Sequence, residues 1–171
     1  MTATNVTKDI DKRELVIERV FDAPRKRMWE AWSNPDSLVR WWGPRGWQTE
    51  IKTFEFTPGG IWHYGMKCND EDQEGFYGQV SWGKAIFQQI IEPEKIIYKD
   101  YFSDIDGNID TSLPEMVVTV EFIEKDGKTT LVSRAQFATD EAFTKVIDMG
   151  VVEGMSQTWD RLEEYVTEKV K

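Results

Sequence analysis

The C-terminal run is the strongest constraint on the fold. From Thr139 onward no proline occurs, and Ile147, Val151, Met155, Thr158, Leu162 and Val166 recur at helical spacing as one stripe, with Asp140 placed to cap the start. At about 1.5 Å per residue, a helix from Phe143 to Lys169 would reach roughly 40 Å, longer than an ordinary strand. Such a rod has to lie across a sheet and cover one of its faces.

The preceding residues supply that sheet. Arg13 to Phe21 reads as a first strand, with Leu15, Ile17 and Phe21 on one face. Two short helices follow, one capped by Asp22 and broken at Asn34-Pro35, the other running from Pro35 to Trp41 and stopped by Gly43-Pro44. Six strands then succeed one another in hairpins: Gln48 to Phe56, Ile61 to Cys68, Gly75 to about Ile91, Lys95 to Ser103, Met116 to Glu124 and Thr129 to Phe137. The expectation is an α+β domain over residues 13–171, an antiparallel sheet with helices on one side, behind a flexible segment of residues 1–12.

A length of 171 residues suits one domain. With 21 basic against 31 acidic residues, the formal charge of −10 opposes contact with nucleic acid or an anionic membrane. The first residues lack an apolar signal core and no stretch reaches the length of a membrane span, so a cytoplasmic protein is expected. One cysteine, Cys68, and one histidine, His63, exclude by count an intrachain disulfide and a His-pair metal site. Their opposite strand parities also rule out a direct Cys–His dyad, with Cys68 expected in the core and His63 on the solvent side. No metal or organic cofactor is expected.

Several motifs go beyond fold class. Val20-Phe21-Asp22-Ala23-Pro24, Trp29-Glu30-Ala31-Trp32, Trp41-Trp42-Gly43-Pro44, and Gly150 through Gly154-Met155-Ser156-Gln157-Thr158-Trp159-Asp160-Arg161-Leu162 together resemble the SRPBCC superfamily. Within it they are most similar to the branch named for homologues of the heat-shock protein 90 ATPase activator, over about Arg13 to Val166. The resemblance implies a START-like helix-grip fold, in which a curved seven-stranded antiparallel sheet wraps the long C-terminal helix around an internal cavity. Met155 stands where relatives often have Trp, and Ala85 where Gly is common.

The residues themselves also argue for a cavity. Large apolar side chains crowd one sheet face, while Gly150 and Gly154 each cost about 1 kcal/mol relative to Ala in a helix, which points to close backbone approach or to space left open. The expected lining is Trp62, Tyr64, Phe76, Tyr98, Phe102, Met149 and Met155. Asp100 and Glu50 share the parity of inward aromatic neighbours, so desolvation would raise their pKa and suit either to acid or base work, unless a bulge turns them outward or Arg19 pairs with one. Trp41, Trp42 and Trp47 bracket a loop suited to gating or capping. Asp104 to Glu115 partly follows a calcium-loop spacing, but its Gly and Pro placement reads as a hairpin turn.

Three functions fit. The leading one is binding of a small hydrophobic or aromatic molecule by a monomer or homodimer. The resemblance also implies a chaperone partner, through regulation of the heat-shock protein 90 ATPase, although only about a dozen residues precede the first strand, where full activators carry a further domain. The resemblance implies a third, a polyketide cyclase or aromatase-like enzyme of the same superfamily, which requires Asp100, Glu50 or a tyrosine to reach the cavity.

Overall fold

The computed structural model describes residues 4–168. In β2 (Glu14–Phe21), strict alternation buries Leu15, Ile17, Arg19 and Phe21 on one face. A further strand, β1 (Asn5–Asp9), pairs antiparallel with β2, so the sheet has eight strands rather than seven, and part of the segment expected to lie outside the domain forms its edge. The NVTKD sequence of β1 carries no burial signal, because this edge strand is exposed on both faces and gains little beyond backbone hydrogen bonds.

Two helices, α1 (Arg25–Ser33) and α2 (Pro35–Trp41), carry the chain from β2 to the opposite edge of the sheet. Pro24, not Asp22, occupies the cap position of α1, while the Asn34 side chain accepts from Asp36 N at 3.0 Å to cap α2. The remaining strands are β3 (Trp47–Phe54), β4 (Ile61–Cys68), β5 (Val80–Ile91), β6 (Lys95–Ser103), β7 (Met116–Lys125) and β8 (Lys128–Gln136). All pairs are antiparallel, in the order β1-β2-β8-β7-β6-β5-β4-β3. The register shifts at Lys52 in β3 and at Gln88 in β5, bulges that bend the strands.

The C-terminal run is two helices rather than one rod. α3 (Asp140–Asp148), capped by the Thr139 hydroxyl instead of Asp140, is separated from α4 (Val151–Thr167) by Gly150 at φ +84°. That left-handed conformation favours glycine and interrupts the helical path, so α4 alone spans about 25 Å.

Beneath α1 and α2 the core is packed with indoles. Trp32 meets Trp41 at 5.1 Å, Trp41 meets Trp42 at 5.5 Å, and Trp42 meets Trp62 at 4.7 Å between ring centroids, mostly edge to face. α4 adds Trp159, Leu162 and Val166 to this core. It is also tied to β2 by Arg19, only 1% exposed, whose guanidinium meets Asp160 at 2.7 Å and Glu163 at 3.1 Å. No helix among the described residues is long and apolar enough to cross a membrane.

Candidate functional site

Beside the tryptophan core, a cavity of about 290 Å³ lies between the sheet and the α3–α4 junction. Tyr64 and Met66 of β4, Gly83 of β5, Asp100 and Phe102 of β6, and Met116 of β7 line the sheet side. Val146, Met149, Val151, Gly154, Met155 and Thr158 line the helical side, and Trp42, Gly43 and Pro44 close one end. Gly154 leaves this space open: a Cβ built there would meet nothing within 4 Å.

The polar floor depends on a second glycine. Tyr64 is the register partner of Gly83, and a Cβ on Gly83 would collide with the phenol ring, so the missing side chain lets Tyr64 cross β5 toward β6. There its hydroxyl donates to Asp100, at 3.2 Å from Oδ1 and 3.4 Å from Oδ2. Solvent reaches Asp100 only in part, and protein encloses the carboxyl closely; desolvation pushes its pKa up to about 7 despite the hydrogen bonds from Tyr64 and the backbone of Tyr101. Burial, then the Asp100 charge, holds the phenols of Tyr64 and Tyr98 well above the usual tyrosine range. A carboxyl titrating near neutrality beside a phenol can exchange a proton with a bound molecule or pair with a cation.

Arg161 of α4 fixes the loop that closes the cavity. Its Nη1 donates to the carbonyl oxygens of Gly43 at 2.8 Å, Trp47 at 3.2 Å and Trp42 at 3.3 Å, and its Nη2 to that of Arg40 at 3.2 Å. The loop backbone thus finds its donors in one planar group, which holds Trp42 against the cavity. Desolvation, with the Arg45 charge, lowers the Arg161 pKa from its ordinary value.

Of the expected lining, Tyr64, Phe102, Met155 and Met149 are in the wall, Met149 at the rim with 52% exposure. Trp62 and Tyr98 are buried but belong to the core behind it, Trp62 packed on Tyr64 at 4.8 Å and facing Tyr98 at 6.1 Å. Phe76 is 53% exposed in the β4–β5 loop and packs on Trp47 at 6.2 Å; β5 begins at Val80 rather than Gly75, so strand alternation does not apply to Phe76.

Asp100 reaches the cavity and Glu50 does not. Before the bulge at Lys52, Thr49 and Ile51 face Met66 and Tyr64, whereas after it Phe54 faces Trp62, so Glu50 has outward parity and is exposed. Arg19 pairs with neither carboxylate but with Asp160 and Glu163. His63 is buried rather than solvent-facing, because the β6–β7 loop folds back over it with Asp104 O 3.0 Å from Nε2. Cys68 is buried as expected.

The Asp104 carboxylate builds its own turn, accepting from Asn108 N at 2.8 Å, Asn108 Nδ2 at 2.9 Å and Asp106 N at 3.0 Å. Among the described residues, no group of three or more His, Cys, Asp or Glu side chains is placed to hold a metal ion. Of the three loop tryptophans, Trp42 lines the cavity, Trp41 is fully buried, and Trp47 donates to Gln73 at 3.1 Å. Val146, Val151 and Met116 are lining residues missing from the expected set; Val151 lies on the helical stripe and Met116 on the inward parity of its strand, so both carried a signal.

Comparison with known proteins agrees with this architecture. Residues 22–167 match the family described as activator of Hsp90 ATPase homolog 1-like protein. No curated protein matches the chain. Among solved structures, a Mycobacterium smegmatis protein is 29% identical, with a TM-score of 0.86 and coverage of 100% of both chains. An Arthrobacter aurescens protein is 30% identical, with a TM-score of 0.87 over 98% of this chain and 93% of that one. A Staphylococcus epidermidis protein is also 30% identical, with a TM-score of 0.80 over 98% of this chain and 96% of that one. The motifs, the helix-grip architecture and the match over most of its length agree: the chain belongs to the activator of Hsp90 ATPase homolog 1-like family of the SRPBCC superfamily.

Proposed function

We propose that this protein binds a small, mainly apolar or aromatic molecule in the cavity between its sheet and α4. The observation that carries this reading is Gly154: an interior helical position gives up about 1 kcal/mol of helix stability relative to alanine although a Cβ there would meet nothing. The neighbouring wall is apolar and aromatic with few polar groups, the usual make-up of a small-molecule site. Regulation of Hsp90, the activity in the family's description, draws on that description alone, whereas the cavity is a property of this chain's own residues.

Titration with naphthalene, followed by tryptophan fluorescence, tests the proposal. Saturable binding to the parent protein and its loss in Gly154→Phe, with the unfolding midpoint kept, would support it. A parent protein that shows no saturable change, or a variant that binds as well as the parent, would overturn it.

A further inference from the structure

Among the described residues that line the cavity, Asp100 is the only one with a charged side chain. On its own face of the sheet its neighbours are uncharged: Tyr64 from β4, Ala85 from β5, Met116 from β7, and Tyr98 and Phe102 on its own strand. Lys99, next to it in sequence, has the opposite parity and is not in the lining. The lining residues of the helical wall are likewise uncharged, while Asp148 and Glu153, which lie among them in sequence, are exposed and outside the lining. Nearby cations are committed elsewhere: Arg161 to loop carbonyls and Lys84 to the Gly107 carbonyl at 3.0 Å. Glu115, which is not among the lining residues, adds to the burial that raises the Tyr101 pKa.

This arrangement discriminates among ligands. A purely apolar guest would displace the water that still reaches the carboxyl and leave Tyr64 as its side-chain partner, which is costly for an ionised group. A carboxylate guest would add like-charge repulsion. A protonated amine replaces both penalties with an ion pair, and the rings of Trp42, Tyr64 and Phe102 offer faces that attract a cation. The formal charge of −10 adds a field that draws cations toward the protein.

Resting on the cavity-binding reading, we propose that the ligand is an organic cation: a protonated amine on a compact apolar or aromatic body, its ammonium paired with Asp100 and its body among Trp42, Phe102 and Met155. The amine donates to the carboxylate that already accepts from Tyr64, and no covalent step is involved.

The test is calorimetric titration of the full chain at pH 8 with tryptamine, tryptophol and indoleacetate, which carry an ammonium, a hydroxyl and a carboxylate on the same ring. Tryptamine should bind at least about tenfold more tightly than tryptophol, with indoleacetate weakest. Asp100→Asn should weaken tryptamine binding at least about tenfold and so remove its preference over tryptophol. Equal binding of tryptamine and tryptophol, or a preference unchanged in Asp100→Asn, would overturn the cation assignment. Naphthalene titrated into the same preparation separates the two failures: if it binds while the amine preference is absent, only the cation assignment falls, and if neither it nor any indole binds, the cavity reading falls as well.

Discussion

The Tyr64 phenol lies over Gly83: a Cβ on Gly83 would stand 2.5 Å from Tyr64 Cζ and 2.6 Å from its hydroxyl oxygen. Gly83→Ala therefore has to displace the phenol, which is wedged between Trp42 at 5.8 Å and Trp62 at 4.8 Å and cannot move without disturbing them. The variant is expected to lose about 1–3 kcal/mol in urea unfolding. It should also raise the Asp100 pKa further, since the Tyr64 hydrogen bond lowers it. Carboxyl-carbon NMR titration checks the second effect.

Stability should fall with rising pH because of Asp100. Its folded pKa of about 7 lies above the usual aspartate value of about 3.9, so between those values the folded state holds more protons than the unfolded one. The contribution is fully present below about pH 4 and is lost as pH rises through about 7. Asp100→Asn should then exceed the parent in stability at pH 8, by roughly 2 kcal/mol after allowing for solvent at the cavity, and the gap should shrink at pH 5. Paired urea titrations at the two pH values measure it. A gap independent of pH would contradict the assignment.

Arg161 should be irreplaceable by lysine. An ammonium carries its donors on one atom, whereas the guanidinium spans the carbonyls of Arg40 and Gly43 with separate nitrogens. Arg161→Lys is expected to lose about 1–3 kcal/mol and to weaken naphthalene binding, because the loop no longer holds Trp42 in the wall. Unfolding and binding measured on one sample check both effects.

Removing Arg19 alone should be more damaging than removing its whole cluster. Arg19→Met leaves Glu163 buried without its cation and is expected to cost about 3–5 kcal/mol. Adding Glu163→Leu and Asp160→Asn should recover a large part of that loss, as denaturant unfolding of the series would reveal.

The strand sequence, the two short helices and the family motifs were legible because each rests on local periodicity or on contiguous residues. Two misplacements came from single residues that break a period, and a third from a strand boundary. The bulge at Lys52 reversed the parity that put Glu50 inside, and the left-handed Gly150 divided the expected rod, which a tolerated helical glycine would not have done. The late start of β5 left Phe76 in a loop. The edge strand β1 was invisible because none of its residues is fully buried, and the burial of His63 depends on a loop from distant sequence. Asp100 was found by parity alone, since β6 runs without a bulge from Lys99 to Ser103 opposite β5. Its bond to Tyr64 was not, because it requires the pairing that sets Gly83 beside that tyrosine.

Methionine methyl groups test the hollow interior most directly. Met66, Met116, Met149 and Met155 line the cavity, whereas Met28 is fully buried in the core and supplies an internal control. With methionine methyls labelled for NMR and naphthalene added, the four cavity signals should shift together and saturate while that of Met28 stays in place. Signals that all remain still, or a Met28 shift as large as the others, would contradict a ligand-accepting cavity at this site.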